Sequence, residues 1–120
     1  MLARNNRSYD EYVADCLKNS PKWGQSECEI WAPSKRLHHP NTALVGMAGR
    51  PPMRELLPKI TAPTLILKAD AQGDQRRENE EVASLLPRGR IVHIEGAGHN
   101  VRRDEKAKTV AAMREFLRTL

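Results

Sequence analysis

Large aromatic anchors are scarce in this chain: Tyr9, Tyr12, Trp23, Trp31 and Phe116 are the whole set among 120 residues. A core must therefore be assembled from small aliphatic side chains. Long apolar runs are missing too. The longest uncharged stretches, Ile60 to Leu67 and Pro40 to Gly49, are far shorter than the roughly 20 apolar residues that a membrane-crossing helix requires. An integral helical membrane protein is excluded on that ground. Residues Met1 to Arg7 carry two arginines, but no apolar run follows them. No secretory signal is expected, and the cytoplasm is the default compartment. Cysteine is nearly absent. Cys16 and Cys28 stand twelve positions apart with no CxxC partner, which fits neither a disulfide framework nor a zinc site and predicts two reduced thiols.

A dominant charge is lacking as well. Twenty Lys and Arg oppose fifteen Asp and Glu for a net +5, and the basic residues come as pairs rather than as a stripe. Those pairs are Lys35-Arg36, Arg76-Arg77 and Arg102-Arg103. Without interleaved aromatics or a helix-turn-helix or zinc-finger spacing, the sequence predicts no nucleic-acid partner. His38 and His39 are adjacent, with no third ligand at a workable spacing, so no metal site is expected. Gly96-Ala97-Gly98 would need a third glycine where Val101 stands, so no dinucleotide cofactor is expected either.

What is present divides the chain in two. Its length is that of one ordinary domain, yet seven of the eight prolines precede residue 64 and alternating apolar segments follow. Ser8 and Glu11 form an S-x-x-E capping box ahead of Tyr9, Tyr12, Val13, Cys16 and Leu17 at helical spacing, predicting a helix over 9–18 that closes before Pro21. Gln25 to Leu37 reads as a second helix, with Ser26 at its start and a bend at Pro33. Pro40 to Pro52 reads as a loop, and Met53 to Leu57 as a helical turn ended by Pro58.

Thr64 to Leu67 is a continuous apolar run bounded by Pro63 and Asp70, the pattern of a strand covered on both faces. Arg76 to Leu86 has one charged and one apolar side, and Pro87 and Gly89 stop it. Ile91 to Ile94 makes a second strand, with His93 expected in the core. From Asp104 a helix returns, carrying Ala107, Val110, Ala111, Leu117 and Leu120 on one face, with Asp104 and Glu105 suited to the positive end of its dipole. Strand, helix, strand, helix is a parallel α/β arrangement, in which functional groups collect beyond the carboxyl ends of the strands. Asp70 and His99 occupy those two positions. A carboxylate facing an imidazole can fix its tautomer and stabilise the imidazolium, leaving the other ring nitrogen to act as general base. Gly96 and Gly98 allow the tight turn that brings His99 to that rim.

The segments Ala62-Pro63-Thr64-Leu65-Ile66-Leu67-Lys68-Ala69-Asp70, Leu85-Leu86-Pro87, Ile91 to Asn100 with its G-A-G-H turn, and Phe116-Leu117 resemble the C-terminal part of the α/β-hydrolase fold. The resemblance spans about 60 residues, from Ile60 to Leu120. It implies a C-terminal half of that fold in residues 51–120, preceded in 1–50 by a helical remnant of the cap such enzymes lay over their sites. It also implies that Asp70 is the acid and His99 the base of a Ser-His-Asp triad acting on a small-molecule ester, amide or C–C bond. In many members of that family the acid follows a strand-end glycine by a few positions, so Asp74 stands as the alternative acid, beside its reading as a helix N-cap.

The family's G-x-S-x-G nucleophile elbow is missing. The nearest string, Gly24-Gln25-Ser26-Glu27-Cys28, lacks the last glycine and has no strand before it. The chain is thus expected to be a fragment that is inactive alone and that self-associates through an unpaired strand edge. The competing expectation is a non-catalytic binding module using its basic surface pairs.

Overall fold

The computed structural model describes residues 6–37, 41–42, 49 and 51–120. The chain divides into two compact units, 1–50 and 51–120.

The first unit is a helical hairpin. Helix α1 (Tyr9–Asn19) starts where Ser8 stays extended. The Ser8 N–H donates to Glu11 Oε2 at 2.7 Å, and the Glu11 N–H donates to Ser8 Oγ at 3.2 Å. Two otherwise unpaired helix-start amides are satisfied by this exchange. Asp10 and Glu11 in the first turn and Lys18 in the last suit the helix dipole. Helix α2 (Gln25–Arg36) starts from Gly24 rather than Ser26, and Gly24 makes no side-chain cap. It also runs through Pro33 without ending. Pro33 has no N–H to offer the Glu29 carbonyl one turn back, and the Tyr9 hydroxyl donates to that oxygen instead, in a long 3.5 Å contact.

The hairpin buries Tyr12, Val13, Cys16, Trp23, Cys28 and Ala32, with Trp31 packed against them. Tyr12 and Cys16 on α1, and Cys28 and Ala32 on α2, are four apart and share one side of each helix. Trp31 meets Tyr12 and Trp23 edge-on, with ring centroids 6.2 and 6.3 Å apart, and the Lys35 ammonium lies 4.6 Å from a Trp31 ring centroid. The expectation of two free thiols is corrected here: Cys16 and Cys28 form a disulfide, with Cα atoms 5.6 Å apart. Spacing along the chain hid the pairing because the fold creates it. The two residues are equidistant from the turn at 20–24, so closing the hairpin sets them opposite each other. The Tyr12 hydroxyl is buried without a hydrogen-bond partner among the described residues, a cost of about 1–3 kcal/mol.

The second unit opens with α3 (Met53–Leu56), which passes directly into a 3-10 turn over Leu57–Lys59. Pro58 was expected to end the turn; instead it sits near the start of the 3-10 segment, where a missing N–H costs nothing. Strand β1 (Thr64–Ala69), helix α4 (Gly73–Ala83), strand β2 (Gly89–Ile94), and helices α5 (Val101–Asp104) and α6 (Lys106–Leu117) follow. The strands are parallel, registered from Thr64 beside Gly89 to Ala69 beside Ile94. Ile94, Ala97 and Ala112 are buried together, with Leu67, Val92 and Val101 packed around them, so alternate strand residues face α6. On the other face His93 contacts Asn79 of α4, 3.2 Å from ring Nε2 to the side-chain nitrogen.

The architecture expected from the resemblance is corrected. Among the described residues the only sheet has two strands, and helices make up most of the rest. This is not the C-terminal half of an α/β-hydrolase fold, which would carry its strand-helix repeats into a broad sheet. The sequence pattern speaks for each strand singly, whereas the width of a sheet is set by long-range pairing that no local run encodes.

Helix boundaries also move, and α4 ends at Ala83 rather than at Leu86. Helix α4 starts three residues before Arg76, at Gly73, whose φ is +54°. Asp74 therefore lies inside the first turn, and Gln72 holds the N-cap position. The helix expected from Asp104 onward is broken at Glu105, with φ −141°. Asp104 turns its carboxylate to Gly98, and the Thr109 hydroxyl donates to the Val101 carbonyl at 2.9 Å across the break. Among the described residues no helix is long and apolar enough to cross a membrane.

Candidate functional site at the strand ends

The carboxyl ends of β1 and β2 are tied together by Asp70. Its backbone N–H donates to the Ala97 carbonyl at 2.9 Å, and its Oδ2 accepts from the Gly96 N–H, also at 2.9 Å. Gly96 has φ +76°, a region that a side chain makes costly. That conformation reverses the chain after β2, and the Ala97 N–H closes the turn onto the Ile94 carbonyl at 3.0 Å.

A second carboxylate holds the far side of this loop: Asp104 Oδ2 accepts from the Gly98 N–H at 2.9 Å. Space there is tight, since a Cβ on Gly98 would lie 3.1 Å from the same oxygen. The Lys108 ammonium donates to the Glu95 carbonyl at 2.9 Å. Residues 95–98 are thereby held by Asp70, Asp104 and Lys108, from three different stretches of chain.

His99 follows this loop and is exposed. Asp70 is joined to the loop that carries His99, but among the described residues no hydrogen bond links the imidazole to Asp70 or to Asp74. Asp70 commits one carboxylate oxygen to Gly96, and a carboxylate has acceptor capacity for more. Asp74 is placed differently: its side chain is 92% exposed and ion-paired with Arg77 of its own helix.

Sequence reasoning missed Asp104 as a loop anchor. It read the residue as a dipole partner for the following helix, although an acid six residues beyond Gly98 can as readily fold back on a glycine N–H.

Three of the five serines are occupied locally. Ser8 Oγ caps α1, and the Ser34 and Ser84 hydroxyls each donate at 2.6 Å to the carbonyl three residues back, of Trp31 and Glu81. Ser26 lies inside α2, and Ser20 ends α1. No serine sits on a strand-to-helix turn.

Comparison with known protein families, with characterised proteins and with solved structures finds no match. The chemistry of this chain therefore rests on its own geometry. Of the basic pairs, Arg76 bonds Glu80 at 3.0 Å and Arg77 bonds Asp74, while Lys35 lies against Trp31. These three basic residues are thus engaged in short-range contacts within their own helices. His38 and His39 lie outside the described residues, as does most of the expected loop over 40–52. Among the described residues no group of three His, Cys, Asp or Glu could hold a metal ion. A shallow depression on α6, lined by Lys106, Ala107, Val110, Ala111 and Arg114, contains neither Asp70 nor His99.

Proposed function

We propose that Asp70 and His99 are the acid and base of a serine-type hydrolytic triad whose nucleophile these 120 residues do not carry. The observation that carries the reading is the double tie from Asp70 to the turn before His99, N–H to Ala97 and carboxylate to Gly96. A triad is defined by the roles and mutual geometry of its members rather than by one fold, so the proposal rests on the tie from Asp70 to the loop of His99 and takes no support from the overturned fold. In this reading the carboxylate is fixed by a backbone amide and keeps acceptor capacity for an imidazole N–H. His99, exposed at the end of the loop, would take a proton from a serine hydroxyl presented by another segment and return it to the leaving group. The substrate class is a small ester, amide or activated C–C bond.

The test begins with the DNA upstream of Met1. Read in all frames, it should encode an apolar strand followed by a G-x-S-x-G elbow. The protein with that segment joined should be labelled by a fluorophosphonate and hydrolyse activated esters. His99→Ala or Asp70→Asn should then slow it by about a thousandfold or more. The absence of an elbow, or a joined protein whose rate ignores His99→Ala, overturns the reading.

A further inference from the structure

We propose that the helical hairpin of the first unit is a redox latch, closed while Cys16 and Cys28 are joined and opened when a dithiol reduces the bond between them. Among the described residues six form its buried core, and two of them are the bonded cysteines. The remaining four are Tyr12, Val13, Trp23 and Ala32, and Tyr12 buries a hydroxyl with no partner among the described residues. Helices of eleven and twelve residues are marginal on their own in water, so the hairpin depends on what joins them. Removing the bond frees the chain between residues 16 and 28 and enlarges the open ensemble far more than the closed one.

The chemistry is a two-electron exchange. A thiolate of the dithiol attacks one cysteine sulfur and displaces the other as thiolate, giving a mixed disulfide. The second thiol of the reagent then displaces the remaining cysteine. The reagent leaves as its own disulfide, and Cys16 and Cys28 each take up one proton as thiols. Burial controls the rate, because Cys16 is 3% exposed and Cys28 fully enclosed. Attack must wait for the helices to part, and after reduction nothing covalent draws them back. A compartment that keeps thiols reduced would hold the hairpin open, and an oxidising one would hold it shut.

The two tryptophans make the latch observable, since Trp23 and Trp31 are the only ones in the chain and both pack in the hairpin. The amides of Gly96 and Gly98, bonded to Asp70 and Asp104, report on the second unit. On treating the full chain with dithiothreitol at neutral pH, two thiols should become titratable and tryptophan emission should move to the red. Amide exchange protection at Val13 and Ala32 should fall about a hundredfold, while the Gly96 and Gly98 amide resonances stay in place. The double variant Cys16→Ala/Cys28→Ala should show the opened state without reagent.

Three results overturn the proposal. One is two free thiols that persist after incubation with oxidised glutathione. Another is two thiols after reduction with unshifted emission and unchanged protection. The third is loss of the glycine resonances in the same step, which would make the opening global.

Discussion

The two halves of this chain solve the problem of a small core by different means. The hairpin of 1–50 has no strand among its described residues and closes around a covalent link flanked by the two tryptophans. The unit of 51–120 has no cysteine and a single aromatic ring, Phe116. It relies on a parallel strand pair, aliphatic packing and carboxylates bonded to loop amides. The first arrangement answers to oxidants and reductants; the second answers to whatever competes for strand edges and backbone hydrogen bonds.

The largest contrast should appear in solution mass. β1 and β2 pair only with each other among the described residues, and α6 leaves Val110, Met113 and Leu117 exposed outside its buried face. Open edges and apolar stripes recruit further chains, so light scattering should give at least twice the 13.6 kDa of one chain. Residues 51–120 should drive it. Amide exchange should slow in β1 as concentration rises and stay constant in α1 and α2. A mass of one chain at every concentration would contradict this.

Smaller, and confined to the second unit, is the effect of Gly89→Ala. A methyl at that position would fall inside the Leu86 side chain, against its Cβ. Because Leu86 is buried and its Cβ is fixed to the backbone, the clash has no cheap relief. We expect a loss of about 1–3 kcal/mol in denaturant unfolding followed by β-sheet signal, with tryptophan emission unmoved at the denaturant concentration where the sheet is lost. Loss of both signals together would show that the two halves unfold as one.

Tyr12→Phe should act in the opposite direction and on the other half. Removing the unpaired hydroxyl should raise the hairpin's stability by about 1 kcal/mol, read as a later tryptophan transition. A destabilised variant would mean that the hydroxyl has a partner.

The smallest effect concerns acid. The Glu11 carboxyl is held below its usual range, first by the Ser8 N–H, then by the Ser8 hydroxyl, with Arg7 adding to both. A group depressed in the folded chain contributes its stabilisation above its unfolded pKa and loses it as pH falls through the folded value. The start of α1 should therefore be fully held at neutral pH and fray only in acid below the usual carboxylate range. Glu11→Gln, which keeps a hydrogen-bonding side chain without the charge, should remove that pH dependence of Ser8 and Glu11 amide exchange.

The difference between the halves also explains what could be read from the sequence. Elements carried by local chemistry were legible: the capping box of Ser8 and Glu11, the apolar run of β1, and the glycine turn after β2. His93, expected in the core, is half-buried against Asn79. Elements that depend on remote partners were not. The Cys16 and Cys28 pairing exists only because a turn at 20–24 folds one helix back on the other. The break at Glu105 accompanies a bond between Asp104 and the amide of Gly98, six residues back, which no local pattern displays. Sheet width is the extreme case, because the same strand pattern serves two strands or many. At the site, the positions of Asp70 and His99 beyond the strands were legible from the strand ends. The anchoring of the loop between them was not, because it is made by backbone amides that no sequence motif displays.

Pro33 leaves one carbonyl of α2, that of Glu29, without its usual intrahelical donor, and the Tyr9 hydroxyl points to that vacancy. A residue ordinarily counted as a helix breaker here supplies a docking address on the side of a helix. A donor on the neighbouring helix can reach it, and Tyr9 of α1 does so from 3.5 Å. Tyr9→Phe would leave the address unclaimed, and the hairpin would lose a register mark rather than a helix.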